Sequence, residues 1–479
     1  MGIFSSIDRF SSLPDHVAHN VLCFLSMEDI SRLCVVSKRS RQLCISIPIL
    51  NFDVLKYKHH TTKRRQLLNY LERFLVLRRG METQRCYIRW SSVNKFLDEE
   101  YRVYSWLYNA LISNVELLDI YVELLEEGEF TLPSSVLFCK SLKFLTLSSR
   151  SFYLEFPSSI TSVRFSFLQS LSLICVEISE SFGEWVSSYC KFLENLILKF
   201  TSGTKSIVIK SSSLKYLKIS FPHGLFHIDV SAELLQDIKL LCCFDSPDNS
   251  SLQLSTPSVT KFCWCGEVLN FCFRESFRPM FASLILSISS RRPLKASTFT
   301  TRCLDGVLHA LCNTKVLTMG EMSVLHGCLP TLFINLSSLY LWTGHTSISN
   351  KLVLALTSLL VGIPNLFYLY IGRNKDANNT KAVVYFVIFF PMNALLYVVY
   401  DEIKGCREVQ NSVLMPNLKW VTINFVVIRE NELKVIKYLL KHAKGLQKMT
   451  ISNASNDDIK EIKEYENASG VELIFRIRE

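Results

Sequence analysis

One pattern, apolar-x-x-apolar-x-apolar, recurs from residue 115 to the end of this chain, and it leaves few folds open. It appears as VELLDI from Val115, LKFLTL from Leu142, LQSLSL from Leu168, LENLIL from Leu193 and LKYLKI from Leu214. It continues as LQDIKL from Leu235, VTKFCW from Val259, FASLIL from Phe281, TKVLTM from Thr314 and LSSLYL from Leu336. LFYLYI from Leu366, LKWVTI from Leu418 and LQKMTI from Leu446 complete thirteen matches. Apolar residues two apart point to one side of a strand, and the apolar residue three earlier tucks in before them. No single unit can bury that side, but units stacked in parallel can, each returning the chain by a helix or irregular turn. Most steps fall in or near the range of about 20–29 residues that marks a stacked repeat array. The polar Asn that often follows the strand in regular repeats is mostly absent, so irregular units are expected.

The N-terminal residues 13–44, LPDHVAHNVLCFLSMEDISRLCVVSKRSRQLC, carry a different signal. Pro14 suits the first turn of a helix, and Val17, Val21, Leu22 and Leu25 follow at helical spacing along one face. Ser26 and Asp29 form an S-x-x-D capping box, with Leu25 and Ile30 placed to close a hydrophobic staple over it. Ile30, Leu33, Cys34 and Ser37 continue one face before the basic run Lys38–Arg41. Two such short helices carry more apolar surface than about forty residues can bury alone. The unit therefore needs a partner, either the rest of the chain or another protein.

This stretch resembles an F-box, in its opening Leu13-Pro14, its FLSMEDISRLCVVSKR core and the spacing between them. The whole chain resembles the plant F-box/leucine-rich-repeat proteins with a C-terminal FBD region. WLYNALISNVELLDIYV, LPSSVLFCKSLKFLTLSS and LKWVTINFVVIRENELKVIKYLLKHAKGLQKMTI carry that likeness. The implied fold class is α/β, a small helical F-box followed by a curved leucine-rich-repeat solenoid with a parallel sheet. The implied function is that of a non-catalytic substrate-recognition subunit of a Skp-cullin-F-box ubiquitin ligase. The F-box would dock on a Skp-type adaptor, and through it a cullin, while the repeats bind a protein substrate. By position, Leu13, Pro14, Val17, Val21, Leu22, Leu25, Ile30 and Leu33 would supply adaptor and module-core contacts. Ser26 stands where plant relatives usually have Pro. Ser40 stands where they usually have Trp, which removes an anchor to the succeeding domain.

The expected organisation is an N-terminal tail (1–11), F-box (12–50), basic helical linker and cap (51–110) and repeats (111–375). An irregular apolar segment or distorted repeat (376–410) and FBD-like C-terminal repeats (411–479) come next. Residues between the inward apolar pair of each strand are expected on the concave face. Early strands offer Thr146, Ser172 and Lys218 there, later ones Tyr340, Trp342, Tyr368, Tyr370 and Trp420. Exposed aromatics in a row favour partner binding, so these five are the candidate substrate residues.

Of the formal charge of +10, a share lies in residues 56–102, expected to be the solvated face of a linker helix rather than a nucleic-acid surface. No catalytic motif occurs in a fitting context. Cys263 and Cys265 bracket an inward Trp264 and have no histidine nearby at zinc spacing, so neither metal nor cofactor is expected. Sixteen cysteines without a signal-peptide run suit reduced thiols, in cytoplasm or nucleus. The uncharged AVVYFVIFFPMNALLYVVY, 382–400, is about 28 Å long as a helix, close to a bilayer core of about 30 Å. It grounds the alternative of a membrane-tethered leucine-rich-repeat receptor. Pro391 and Asn393 interrupt it, however, and Leu395, Val398 and Tyr400 fit a fourteenth repeat strand that would divide the 52-residue step between Leu366 and Leu418.

Overall fold

Three short helices open the fold: α1 (Asp15–Leu22), α2 (Met27–Leu33) and α3 (Lys38–Ile45). The computed structural model describes residues 10, 12–91, 99–124, 130–149, 154–155, 166–244, 250–266, 270–274, 277–286, 304, 306–320, 333–343, 348–372, 415–425, 427–466 and 470–476. Pro14 is the N-cap of α1. Ser26 caps α2, accepting from the Asp29 N–H at 3.2 Å while its hydroxyl donates to the Asp29 carboxylate at 2.6 Å. Ala18 and Leu22 of α1, Met27 and Ile30 of α2, and Leu43 and Cys44 of α3 are buried. The single apolar face expected for Val17, Val21, Leu22 and Leu25 is thus divided. The helix ends at Leu22, its inner row is Ala18 and Leu22, and Val21 lies outside.

Ser40, at the position of the missing aromatic anchor, is buried, its hydroxyl 2.8 Å from that of Ser37. The tie between the helical module and the rest of the fold comes from Arg78, at the C-cap of α4 (Thr61–Leu77). Its guanidinium donates to the carbonyls of Ile45 and Ile47 at 2.5 Å each and to Glu82 O and Thr83 Oγ1 at 3.0 and 3.1 Å. Helix α4 is two-faced rather than wholly solvated. Leu67, Leu68, Leu71, Phe74 and Leu75 are buried, whereas Lys63, Arg65 and Arg73 are exposed. Arg64 also points inward. It meets Glu99, at the start of α5 (Glu99–Ile112), with Nε 3.0 Å from both carboxylate oxygens, and donates to Ser91 O at 2.6 Å. Trp90 Nε1 adds a bond to the same carboxylate at 3.2 Å. The basic linker expectation therefore fails at Arg64 and Arg78, where charge is buried and paired with carboxylate or carbonyl oxygen.

Two compact units divide the chain, 1–234 and 235–479. In the first, Ile49–Asp53, Arg85–Ser91, Leu117–Glu123, Phe144–Ser149, Ser170–Ile174, Asn195–Lys199 and Tyr216–Ser220 each pair in parallel with the next. In the second, the same holds for Asp237–Leu241, Lys261–Gly266, Phe281–Leu286, Val316–Gly320 and Ser338–Trp342. Tyr368–Gly372, Trp420–Asn424, Lys448–Ser452 and Glu472–Arg476 continue it. Burial alternates along these strands, as one buried side demands. All thirteen motifs lie on ladder strands, and Ile49–Asp53, Arg85–Ser91 and Glu472–Arg476 add three strands that the motif did not mark.

Register corrects two expectations. Phe281 pairs with Lys261, two residues past the Val259 motif start, so FASLIL is framed two residues late and Phe281 is exposed instead of tucked in. Tyr368–Gly372 pairs directly with Trp420–Asn424, so the ladder holds no place between them for a strand at 395–400. The stretch 382–400 itself lies outside the described residues. Among the described residues no helix is long and apolar enough to cross a membrane. Some return segments are strands, Ser206–Ser211 pairing with His227–Ala232 in the first unit and Ser251–Ser255 with Asn270–Phe273 in the second.

The missing Asn signal has a structural counterpart. Cys175, Phe200, Phe221, Cys242 and Asn453 each stand seven residues after a motif start with φ between 48° and 63°. The N–H groups of Cys175, Phe200, Cys242 and Asn453 donate to a residue at or next to the end of the following rung, at 2.5–2.8 Å. Left-handed backbone costs a non-glycine residue roughly 1–2 kcal/mol, and at those four turns a bond between rungs offsets it.

Substituting Arg64→Ala should cost about 3–5 kcal/mol in urea unfolding of the chain, because Glu99 is left buried without its partner. The double change Arg64→Met with Glu99→Leu should recover most of that loss; equal losses for both proteins would show that the pair itself does not hold α4 and α5 together.

Candidate functional site

Two surfaces gather the residues singled out from the sequence. The first is the outer side of α1–α3. Of the eight F-box residues, Leu22 and Ile30 form the module core. Leu13, Val17, Leu25 and Leu33 are half-buried, and Pro14 and Val21 are exposed. Three apolar side chains outside that set stand furthest into solvent: Phe24 at 90%, Val35 at 76% and Val36 at 70% exposure. They come after the last turns of α1 and α2, in the short corners between helices. Sequence periodicity ranks helix faces and gives such corner residues no weight. A run of valines directly before the Ser37 cap of α3, with no inner position left for both, was the available signal. Apolar side chains this far into solvent, three within one small module, are candidates for a contact surface.

The second surface is the solvent-facing side of the ladder in the second unit. Pairing places Tyr340 opposite Tyr370 and Tyr370 opposite Thr422, with Ser338, Tyr368 and Trp420 forming the neighbouring row. The Tyr340 ring lies 5.5 Å from that of Tyr368 and 6.0 Å from that of Tyr370, so three of the five candidate aromatics form one cluster. Tyr368 OH donates to Thr422 Oγ1 at 3.2 Å, and Asn424 Nδ2 donates to Tyr370 OH at 3.4 Å. These bonds fix ring orientation while leaving the rings half-exposed. Burial raises the Tyr340 hydroxyl pKa, with the Tyr368 hydroxyl adding to it, so the phenol stays a neutral donor.

Trp342 belongs to the third row of this side, between Gly320 and Gly372. Neither register neighbour has a side chain, so the indole stands without cross-strand cover in its row. Gly372 has φ 153°, and a Cβ there would run into the Asn424 carbonyl. Trp420, 47% exposed, packs edge-on against Phe367 at 4.9 Å rather than joining the tyrosines. Thr146 and Ser172 pair on the corresponding side of the first unit, and Lys218 lies on the same row.

Cys263 and Cys265 are half-buried thiols on either side of buried Trp264, as expected. Burial, with the Cys265 charge adding to it, pushes the Cys263 thiol up to about 11. Among the described residues no group of three or more His, Cys, Asp or Glu is placed to hold a metal ion. Of the basic run, Lys58 pairs with Glu123 at 2.9 Å and Arg102 with Glu72 at 3.2 Å.

Comparison with known proteins matches three family models in chain order. The F-box domain covers residues 10–52, the LRR repeats of the FBD-associated F-box protein At5g56370 cover 103–266, and FBD covers 413–451. Among similar proteins, the putative F-box/FBD/LRR-repeat protein At4g03220 of Arabidopsis thaliana is 23% identical over 94% of this chain and 90% of its own length. The F-box/FBD/LRR-repeat protein At1g78750 of the same plant is 23% identical over 93% and 90%. The F-box/LRR-repeat protein At3g59200, also from that plant, reaches 29% over 54% and 48%.

Gly372→Ala should destabilise the second unit by about 1–3 kcal/mol, since the added methyl forces Tyr368–Gly372 and Trp420–Asn424 apart. Thermal unfolding checks this; an unchanged midpoint would mean that the two strands do not approach as closely as their register requires.

Proposed function

The chain belongs to the plant F-box/FBD/LRR-repeat proteins, and on that premise we propose that it is the substrate-recognition subunit of a Skp-cullin-F-box ubiquitin ligase. The F-box docks on a Skp-type adaptor, the adaptor brings a cullin, and the ladder binds a protein substrate. The transfer chemistry belongs to other subunits. The observation that carries this reading is the outward display of Phe24, Val35 and Val36 by a module whose own core, Leu22, Met27, Ile30 and Leu43, is already complete. Apolar side chains that a fold does not need for its core, clustered on one module, fit a permanent partner better than solvent.

The same division supports separate roles within the residues carried over by resemblance. Leu22 and Ile30 act through the module core, whereas Leu13, Pro14, Val17, Val21, Leu25 and Leu33 are positioned for the adaptor, with Phe24, Val35 and Val36 joined to them. For the substrate, the reading surface is the patch of Tyr340, Trp342, Tyr368, Tyr370 and Trp420, spread over three rows of the ladder's solvent side. Tyr368 and Tyr370, their hydroxyls already bonded, can contribute apolar area at little entropic cost, which suits a binding hot spot.

Co-purification with a Skp-type adaptor from the soluble fraction tests the first half. Phe24→Asp combined with Val35→Asp should reduce adaptor capture at least tenfold with the unfolding midpoint unchanged, whereas Leu22→Ala should lower both. Full capture by the aspartate variant would remove the adaptor reading. The second half is tested with the F-box deleted so that bound substrates are retained. Trp342→Ala with Tyr370→Ala should then lose most of the captured protein that the parent retains, and undiminished capture would move the substrate surface elsewhere.

A further inference from the structure

The carbonyl ends of α4 and α5 come together in the first unit, and a cavity of about 300 Å³ opens between the turns that follow them. Both turns use left-handed residues, Gly80 at φ 88° and Asn114 at φ 59°. The Thr83 N–H ties them by donating to the Ser113 carbonyl at 2.9 Å. Leu50 and Leu75, both buried, and Met81 and Ile112, both exposed, make up the apolar part of the lining. The volume lies at the lower end of the range that holds ligands.

Arg78 lines this cavity too, at 4% exposure. Four of its five N–H donors are spent on the carbonyls of Ile45, Ile47 and Glu82 and on Thr83 Oγ1. The fifth, on Nε, has no acceptor among the described residues, yet it is not sealed from solvent. The cavity is the open space beside it. Burial lowers the Arg78 pKa to about 10, which leaves it charged at pH 7 and makes the unspent N–H a charge-assisted donor. A nearly enclosed donor without an acceptor is costly, so an oxygen brought into the cavity is favoured there.

The lining also selects the kind of oxygen. Arg78 and exposed Arg79 bring positive charge. Exposed Glu82 opposes them, as do the carbonyl ends of two helices, each equivalent to about half a negative charge. With charge so balanced, a carboxylate would lose its hydration for little return, whereas a neutral carbonyl has less to lose. Four apolar side chains call for an apolar body on the same ligand. The last turn of α4 adds Val76 and Leu77, 74% and 61% exposed, so apolar surface continues outside the cavity. A carbonyl next to an apolar side chain, with further chain on either side, is the chemistry of a peptide. Neither the adaptor docking nor the substrate surface argued above uses these residues.

We propose that the cavity between the ends of α4 and α5 binds an uncharged peptide segment of a partner protein. One branched apolar side chain packs against Leu50, Leu75, Met81 and Ile112, and the backbone carbonyl of that residue accepts from Arg78 Nε–H.

The full chain tests this with the capped peptide acetyl-Gly-Leu-Gly-amide, and with the glycine and aspartate peptides of the same length as controls. A ligand so small is expected to bind at roughly 0.1–1 mM, within reach of titration calorimetry. The leucine peptide should bind about tenfold or more tightly than the glycine peptide, because only it buries a side chain. The aspartate peptide should bind no better than the glycine one. Ile112→Ser, on the exposed wall, should weaken the leucine peptide by about threefold or more and leave the unfolding midpoint unchanged. In the arginine-¹⁵N-labelled chain, the Arg78 Nε–H resonance, assigned by its loss in Arg78→Lys, should shift when the leucine peptide is added. If Arg78→Lys does not fold, the Ile112→Ser comparison still decides. Equal binding of the leucine and glycine peptides, tighter binding of the aspartate peptide, or full affinity in Ile112→Ser would each overturn the proposal.

Discussion

Every rung of a stacked parallel ladder depends on its neighbours for burial, and that constraint governs the chain. Leu118 and Ile120, Leu145 and Leu147, Leu171 and Leu173 are each at or near zero exposure only because adjacent rungs and return segments enclose them. A first rung has no predecessor, so it must be covered by something else. In this chain α2 packs on Ile49–Asp53, and Arg78 ties the exit of α3 to the end of α4. The F-box helices thus serve as the cover of the ladder's first rung as well as a separate module. That double use explains why a buried serine at position 40 is tolerated. The rigidity that a large aromatic would supply by packing comes instead from a guanidinium that satisfies four oxygen acceptors at once.

The same constraint acts where the repeat spacing breaks. Tyr368–Gly372 and Trp420–Asn424 are neighbours in space although 47 residues separate Gly372 from Trp420. Loop-closure entropy rises only slowly with length, about 0.6 kcal/mol per doubling, so a long detour between adjacent rungs is tolerated if the rungs themselves are held. Glu432 holds them. It is fully buried near the start of the helix Glu430–His442, accepts from Arg429 N–H at 3.1 Å and reaches the Ile348 N–H at 2.5 Å. Asn431 completes the clamp by donating to the Ile348 carbonyl at 2.8 Å. Ile348 lies just before the helix Asn350–Val361, capped by Ser349, so one carboxylate serves the N-terminal ends of two adjacent return helices, where negative charge is favoured. Return helix thereby meets return helix as strand meets strand.

How much could be read from the sequence depends on how the physics is encoded in it. Strand positions in the interior of the ladder were legible because two inward residues and one tucked residue recur together. The three further strands were not. Arg85–Ser91 alternates Cys86, Ile88 and Trp90 inward against Arg85, Tyr87 and Arg89, but its basic side matched the reading of a solvated linker. Ile49–Asp53 comes directly after helical residues, and Glu472–Arg476 has only half-buried inward residues to offer. The two-residue slip at Phe281 preserved the side of the strand and misplaced only the leading position, because strand period is two. Partnerships across the fold, such as Arg64 with Glu99 or Glu432 with Ile348, leave no local pattern at all. On the candidate surfaces, the tyrosine cluster was recoverable since strand parity fixes which side a ring takes. The split of the F-box set into core and outer residues was not, because α1 is only eight residues long and its end decides the face.

Burial of charge separates the structural from the exposed basic residues between 56 and 102, and it bears on what the first unit can bind. Arg64 and Arg78 each direct their donors into carboxylate or carbonyl oxygen, and Lys58 and Arg102 are engaged by Glu123 and Glu72. Those four make no separate demand for an anionic partner. Lys63, Arg65 and Arg73 remain exposed on one helix, but a polyanion surface draws its strength from many simultaneous contacts, each lost linearly with the logarithm of salt. The outer side of α1–α3 differs in kind. Phe24, Val35 and Val36 are apolar and, among the described residues, stand outside the module core, so their exposure is a cost that burial against a partner would remove. The physical asymmetry between the two surfaces, one partly self-neutralised and the other uncompensated, favours protein docking through the corners of the N-terminal helices over nucleic-acid binding through the basic helix.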